Sequence, residues 1–414
     1  MLAALPTLLS RFAGPKQRRR SLFETARGES LETRVLPAAV ASVSKATLNI
    51  TGDADASDLQ IEQVVGGVKV SALNGTTIRV GGADVAEFTF AGVTGLNVRL
   101  GEGDDSVAVL GSLNLKNVSF ELGDGDNVVS VGAGMNISGK LTIKGGTGND
   151  QITLNSTIGK SASLTTGLGN DEIFLRGTAF SSTVSINTGV GADTVDIDET
   201  LGGLDASFNN TLSITTGEDN DNVSIKNTTT KRVSVNTGDD DDIVTLDTVT
   251  ANGTLSVQTG AGADELNLLA VTETLNGTNT FNVGTGADAV VIARSSFQGT
   301  VNFDLGTGIF NTLSIDDTSF LAFFNLNANG TGDVIDIETN TSLVGDTVFS
   351  KAAKVKVGAN ADINLGVVNA ASDTRFLSTV SVSGINPAAE LTVAVLNTSF
   401  VSQPSLVKVN RFNI

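Results

Sequence analysis

Residues 164–175 read Leu-Thr-Thr-Gly-Leu-Gly-Asn-Asp-Glu-Ile-Phe-Leu, and residues 186–197 read Ile-Asn-Thr-Gly-Val-Gly-Ala-Asp-Thr-Val-Asp-Ile. The shared pattern is apolar-x-Thr-Gly-x-Gly-x-Asp-x-apolar-x-apolar. Its leading glycine returns at Gly101, Gly123, Gly146, Gly167, Gly189, Gly217, Gly238, Gly260 and Gly284, in steps of 22, 23, 21, 22, 28, 21, 22 and 24 residues. A period in the low twenties marks a repeat architecture.

Each copy contains two half-buried strands and a turn. Val184 and Ile186 alternate with Ser185 and Asn187 before the turn, and Val195 and Ile197 alternate with Thr194 and Asp196 after it. Glycine reaches positive φ without steric cost, so Gly189-Val190-Gly191 permits a sharp reversal between them. About ten residues follow before the next copy, often with one apolar residue midway, such as Ile158, Phe180, Val249 and Phe297, which suggests a third short wall.

One copy cannot bury its own apolar face, but copies stacked in parallel can. Stacking aligns Val107, Val129, Ile152, Ile173, Val195, Val223, Val244, Leu266 and Val290 on one wall. Before the turn it aligns Val98, Phe120, Ile143, Leu164, Ile186, Ile214, Val235, Val257 and Phe281. Every place in both columns is apolar, and most are β-branched or aromatic, as strands prefer. The expected fold is all-β, a parallel β-helix or β-solenoid with coils of about 22 residues and irregular capping coils. Three walls are the first choice and a flatter two-walled solenoid the alternative.

Composition agrees with a rod rather than a set of globular domains. The 414 residues contain no Cys, His, Tyr or Trp, and all the aromatics are Phe. That excludes a disulfide framework, thiol chemistry and cysteine metal sites. The net charge of −19 is uneven, because residues 1–34 hold seven of the 26 basic residues and three of the 45 acidic ones. The acidic remainder repels nucleic acid and anionic membranes and attracts cations. No stretch approaches the ~20 apolar residues of a membrane span.

In chain order, residues 1–41 stand outside the repeat. Residues 42–95 read as capping coils, with Thr51-Gly52-Asp53-Ala54-Asp55 as a degenerate first copy. Residues 96–293 are the regular solenoid, and Glu199–Asn210 is expected to bulge out as a loop. Residues 294–365 are degenerate coils. Here Phe310 stands where Asp is expected after Gly306-Thr-Gly308, Asp333 comes one residue early, and Gly358-Ala-Asn-Ala-Asp362 keeps its acid. Residues 366–414 read as the other cap or a small β module.

The position four after the leading glycine is Asp in eight of nine copies: Asp105, Asp150, Asp171, Asp193, Asp221, Asp242, Asp264 and Asp288, with Asn127 as the exception. In register, these carboxylates stand about 5 Å apart. Unit charges at that distance repel by roughly 1 kcal/mol in water and about 3–4 kcal/mol at an effective dielectric of 20. Such a column must protonate, splay into solvent or take up cations, and Ca²⁺, a hard ion with oxygen ligands, suits it. The plainer reading is an Asp that closes its own turn.

Two resemblances bear on function. Gly145-Gly146-Thr147-Gly148-Asn149-Asp150-Gln151-Ile152 resembles the hemolysin-type, or RTX, repeat, which implies Ca²⁺ held between coils by turn carbonyls and the eight aspartates. The chain differs in having one turn per 22 or so residues rather than one per nine, and Asp219 and Asp240 replace the second glycine in two copies. The basic run Arg18-Arg19-Arg20, followed by Leu31-Glu32-Thr33-Arg34-Val35-Leu36, is similar to the LEPR-XLL-type N-terminal segment of bacterial surface proteins, which implies export and processing near Ala38-Ala39.

The expectation is an exported, non-catalytic solenoid at the cell surface or in the extracellular matrix. It binds calcium ions and serves a structural or adhesive role, its partner a surface polysaccharide or another surface protein. The rival is a β-helix polysaccharide lyase or hydrolase. That reading calls for a buried acid with a nearby Arg or Lys in a groove beside the insertions at 198–210 or 338–352.

Overall fold

The computed structural model describes residues 38–198, 205–339, 345–366, 373–384, 392–395, 398–407 and 411–413. Residues 1–37, most of the expected export segment, lie outside them. The described residues contain no helix, and so none long and apolar enough to cross a membrane.

The chain winds as a β-solenoid with three parallel ladders. The first wall, before the glycine turn, stacks Val98 on Phe120, Ile143, Leu164, Ile186 and Ile214 in strict register, and it continues to Val382. The second, after the turn, stacks Leu59, Val107, Val129, Ile152, Ile173 and Val195, and it continues to Val393. Both expected columns are fully buried. The third wall is short, often two residues per coil, such as Ala179–Phe180 and Ser296–Phe297.

The third wall carries the rings. Phe297, Phe320, Phe349, Phe376 and Phe400 stack at 5.6, 4.9, 4.7 and 5.2 Å between successive centroids. Identical residues recur at one height, so the rings stack nearly parallel, at interplanar angles of 10, 9, 9 and 3°. Val249 lies on this wall, as expected, buried and paired with Thr228, while Ala251 takes the ring position opposite Thr230 and Glu273.

The corner between the second and third walls turns on a single residue in left-handed conformation. Gly177, Asn227, Thr248, Ala270, Arg294 and Asp317 all have φ between 45 and 57°. Each non-glycine there costs on the order of 1 kcal/mol, which the ladders on either side offset.

The expected loop at Glu199–Asn210 is shorter than its sequence suggests. Residues 199–204 lie outside the described residues, and Ala206–Glu218 is strand. Phe208 is buried and stacks on Phe180 at 5.1 Å, because it supplies the third wall of its own coil.

At the N-terminal end the parallel pattern gives way to hairpins. Ala38–Ser44 lies antiparallel to Thr47–Thr51, and Gly67–Ala72 lies antiparallel to Asp58–Val64. These strands occupy the upper edges of the first two walls, which would otherwise present unpaired backbone groups. Beyond residue 366 the three ladders continue, with Thr374–Phe376, Val380–Gly384 and Thr392–Val395 each parallel to its equivalent in the coil before.

Candidate functional site: the buried aspartate column

The glycine turn brings successive coils into backbone contact. A Cβ at Gly189 would sit 1.8 Å from the Gly167 carbonyl oxygen, and one at Gly191 would sit 2.1 Å from that of Gly169. The two glycines therefore satisfy both the reversal and the close stacking. In the two copies without a second glycine, Asp219 and Asp240 adopt φ of 76° and 81°, a strained conformation for a side-chain-bearing residue.

This contact folds the aspartates inward. Asp105, Asp150, Asp171, Asp193, Asp221, Asp242, Asp264 and Asp288 are each at most 2% exposed. All eight share one column, and so do residues the spacing did not assign to it. Ser57 heads the column, Asn127 sits within it, and Asn311 and Asp333 extend it. Asn311, not Phe310, takes the place after Gly306, because that turn is one residue longer. Asp333 falls in line rather than early. Asp362 does not join, for it pairs with Val334 on the outer face while Ala361 fills the buried position.

Each Oδ1 accepts the backbone N–H of its counterpart in the preceding coil. Asp150 donates to Asp171, Asp171 to Asp193, Asp193 to Asp221, and so on, at 2.6–3.3 Å from Ser57 to Asp333. The turn N–H has no ladder partner of its own, so the side chain supplies the missing acceptor.

A second column lies one residue earlier and runs the other way. Asp104, Asp126, Asn149, Asn170, Asn220 and Asp241 each take part in bonds in which a side-chain oxygen accepts the N–H of the next coil, as from Asn149 to Asp126 at 2.7 Å and from Asn170 to Asn149 at 2.7 Å. This column is exposed, and the pattern treated its place as variable. The run of Asn and Asp immediately before the buried Asp is the signal that marks it. Adjacent residues thus bond upward and downward, and the two columns clamp each turn to both neighbours.

A third column lies inside. Thr166, Thr188, Thr216, Thr237 and Thr259, one residue before the leading glycine, are buried, and each hydroxyl donates to a carbonyl of the next coil at 3.1–3.3 Å. Each also lies close to the carboxyl of its own coil's Asp, a contact that by itself works against the rise that burial causes.

The second oxygen of each carboxyl is different. Oδ2 of the eight aspartates and of Asp333 is buried with no donor. Burial, against the partial relief of hydrogen bonds, pushes Asp105 and Asp221 up to about 7, and Asp150, Asp193, Asp242 and Asp288 up to about 6. Asp171, Asp264 and Asp333 are raised by the same cause.

This donor set does not fit a calcium ion, which needs six to eight oxygens at about 2.3–2.6 Å. Within the buried column each Oδ1 is committed to a backbone donor, which leaves one carboxyl oxygen per coil, too few for that shell from the column alone. Among the described residues no three acidic groups converge as a metal site.

One buried acid with a cation stands beside an insertion. Asp196 Oδ2 pairs with Arg176 Nη2 at 2.8 Å, a few places in sequence before that insertion, and the guanidinium lies 5.0 Å from the Phe174 ring centroid. Near the other insertion, buried Glu338 accepts the Asp317 N–H at 2.7 Å and the Thr347 hydroxyl, which gives it a packing role.

The chain matches no family model, and comparison with curated proteins and with solved structures likewise finds no match. The likeness to RTX repeats is therefore one of stacked parallel coils and an aspartate column.

Proposed function

We propose that the chain is an exported, non-catalytic solenoid that serves as a structural or adhesive rod at the cell surface or in the extracellular matrix. The observation that carries this reading is the outer face of the first wall. From Ser163 and Thr165 to Asn325 and Asn327, the outward pair of each coil is Ser, Thr, Asn or Gln everywhere except at Asp304. The face is a long uncharged polar strip on an otherwise acidic molecule. It dips into a shallow depression of about 460 Å³ over Thr280, Asn302 and Asn325, bordered by Lys354 and Lys356. Such a surface can exchange hydrogen bonds with a polysaccharide or another surface protein without opposing charge. The basic segment at residues 1–41 supports export by its likeness to the LEPR-XLL type.

The test is fractionation and antibody labelling of intact cells, with full-length chain compared to a form lacking residues 1–41. Labelling of intact cells that is lost in the shortened form supports the reading. Full-length protein reached by antibody only after lysis overturns it. The Arg176–Asp196 pair supplies the acid and the cation that the catalytic alternative calls for, though not the groove. Polysaccharide cleavage that Asp196→Asn abolishes would establish it.

A further inference from the structure

The unpartnered Oδ2 atoms and the threonine hydroxyls beside them constrain where protons lie. Thr166, Thr188, Thr216, Thr237 and Thr259 each have one hydroxyl proton, and each spends it on a carbonyl of the next coil. Towards Asp171, Asp193, Asp221, Asp242 and Asp264 these hydroxyls therefore have only lone pairs to offer. A bond between two lone-pair-bearing oxygens needs a proton, and the only free place for it is the carboxyl Oδ2.

The surroundings offer no countercharge. Asp53, Asp58 and Asp104 face Asp105, Asp171 faces Asp150, and Asp171 and Asp219 face Asp193. Asp193 and Asp242 face Asp221, Asp264 and Asp240 face Asp242, Asp241 faces Asp264, and Asp264 and Asp333 face Asp288. All are acidic, and among the described residues no Lys or Arg forms an ion pair with a column carboxyl. An unpaired buried charge is far costlier than a neutral acid with its hydrogen bond made.

The column contains its own comparison. Asn127 and Asn311 place an amide where the others place a carboxyl, and Nδ2 takes the role of a protonated Oδ2. It finds acceptors at once, Asn127 at the Gly125 carbonyl and Asn311 at the Leu305 carbonyl, both 2.9 Å away. The site is therefore built to receive a donor.

We propose that Asp171, Asp193, Asp221, Asp242 and Asp264 form a ladder of neutral aspartic acids. Each donates its Oδ2 proton to the threonine hydroxyl of its own coil, and that hydroxyl donates in turn to the next coil, so that the rod is braced by protons where the RTX likeness implies metal. Burial raises the carboxyls of this column, which agrees with it, whereas a threonine that donated to a carboxylate would lower them. It rests on the turn geometry and is independent of where the rod works. It makes the brace pH-responsive, firm in mild acid and loosened as the acids ionise.

The experiment is infrared difference spectroscopy of the full chain with carboxyl-¹³C aspartate, titrated in EGTA. The expected result is an aspartic acid C=O band that survives well above the pH at which exposed aspartates ionise. The band should shrink in Asp193→Asn. In Thr188→Val, the Asp193 component, read as the difference from Asp193→Asn, should move to lower pH, because its acceptor is gone. An upward move would mean that the hydroxyl donates to a carboxylate and would overturn the ladder. So would a wild-type spectrum with only carboxylate bands by pH 5, or a band that millimolar Ca²⁺ discharges while the folded β-signal stays. Thr188→Ser, which keeps the hydroxyl, should leave the band in place.

Discussion

Replacing Asp193 by asparagine is expected to stabilise the rod at high pH. The amide keeps an oxygen for the Asp171 N–H, which Asp193 now accepts at 2.8 Å, and sets a donor where Oδ2 lies orphaned. The magnitude follows from linkage. Burial raises Asp193 from 3.8 to about 6 in the folded chain, so the folded state holds a proton that the unfolded state has released. A group raised on folding contributes stability that is full below its unfolded value and is lost as pH rises through its folded one. For Asp193 that window runs from about 4 to about 6, and above it the ionised form costs ~3 kcal/mol at 1.36 kcal/mol per unit. An unfolding entropy of about 2.1 cal/mol/K per residue over roughly 370 residues makes that a shift of about 4 °C. Thermal melts of wild type and Asp193→Asn should therefore differ by a few degrees at pH 8, with the variant higher, and converge near pH 4. A variant that melts lower at pH 8 would show instead that the negative charge is needed.

Three further outcomes follow from the same geometry. Asn127→Asp inserts a carboxyl between Asp105 and Asp150 and removes the Nδ2 bonds to Gly125 and Asp150, so it should lower the melting midpoint more at pH 8 than at pH 5. Gly189→Ala would drive a methyl to 1.8 Å from the Gly167 oxygen at a φ of 116°, and a loss of at least ~3 kcal/mol is expected by urea unfolding. Phe320→Ala opens a void between rings 5.6 and 4.9 Å away and should cost about 3–5 kcal/mol in the same assay, with Phe320→Leu recovering much of it.

The sequence makes the first corner legible because backbone contact at its leading position calls for glycine in all nine clear copies, and a steric rule leaves a letter. The two long walls are legible because alternation with period two survives every copy. The second corner leaves no letter. Asn227, Thr248, Ala270, Arg294 and Asp317 share a left-handed φ and nothing else, since that corner demands a conformation but no particular contact. The same looseness hid which residue of the third wall takes the ring position, Ala251 rather than Val249. At the site, the spacing locates eight aspartates but not their direction. Counting from the glycine passes over Asn311 and Asp333, because it assumes a turn of fixed length, and it admits Asp362, which the ladder turns outward. Inward orientation depends on the N–H of the neighbouring coil, a contact between residues some 22 apart that no local pattern records.

A brace of aspartic acids that needs no metal can be checked by thermal melts of the full chain by circular dichroism, in excess EGTA and in millimolar Ca²⁺, at pH 5 and pH 8. The expected result is a β-sheet signal in all four conditions, a midpoint higher at pH 5 than at pH 8, and no change with Ca²⁺ at either pH. A midpoint that rises by many degrees with Ca²⁺ at pH 8, and not with Mg²⁺, would contradict it and make the column a metal column.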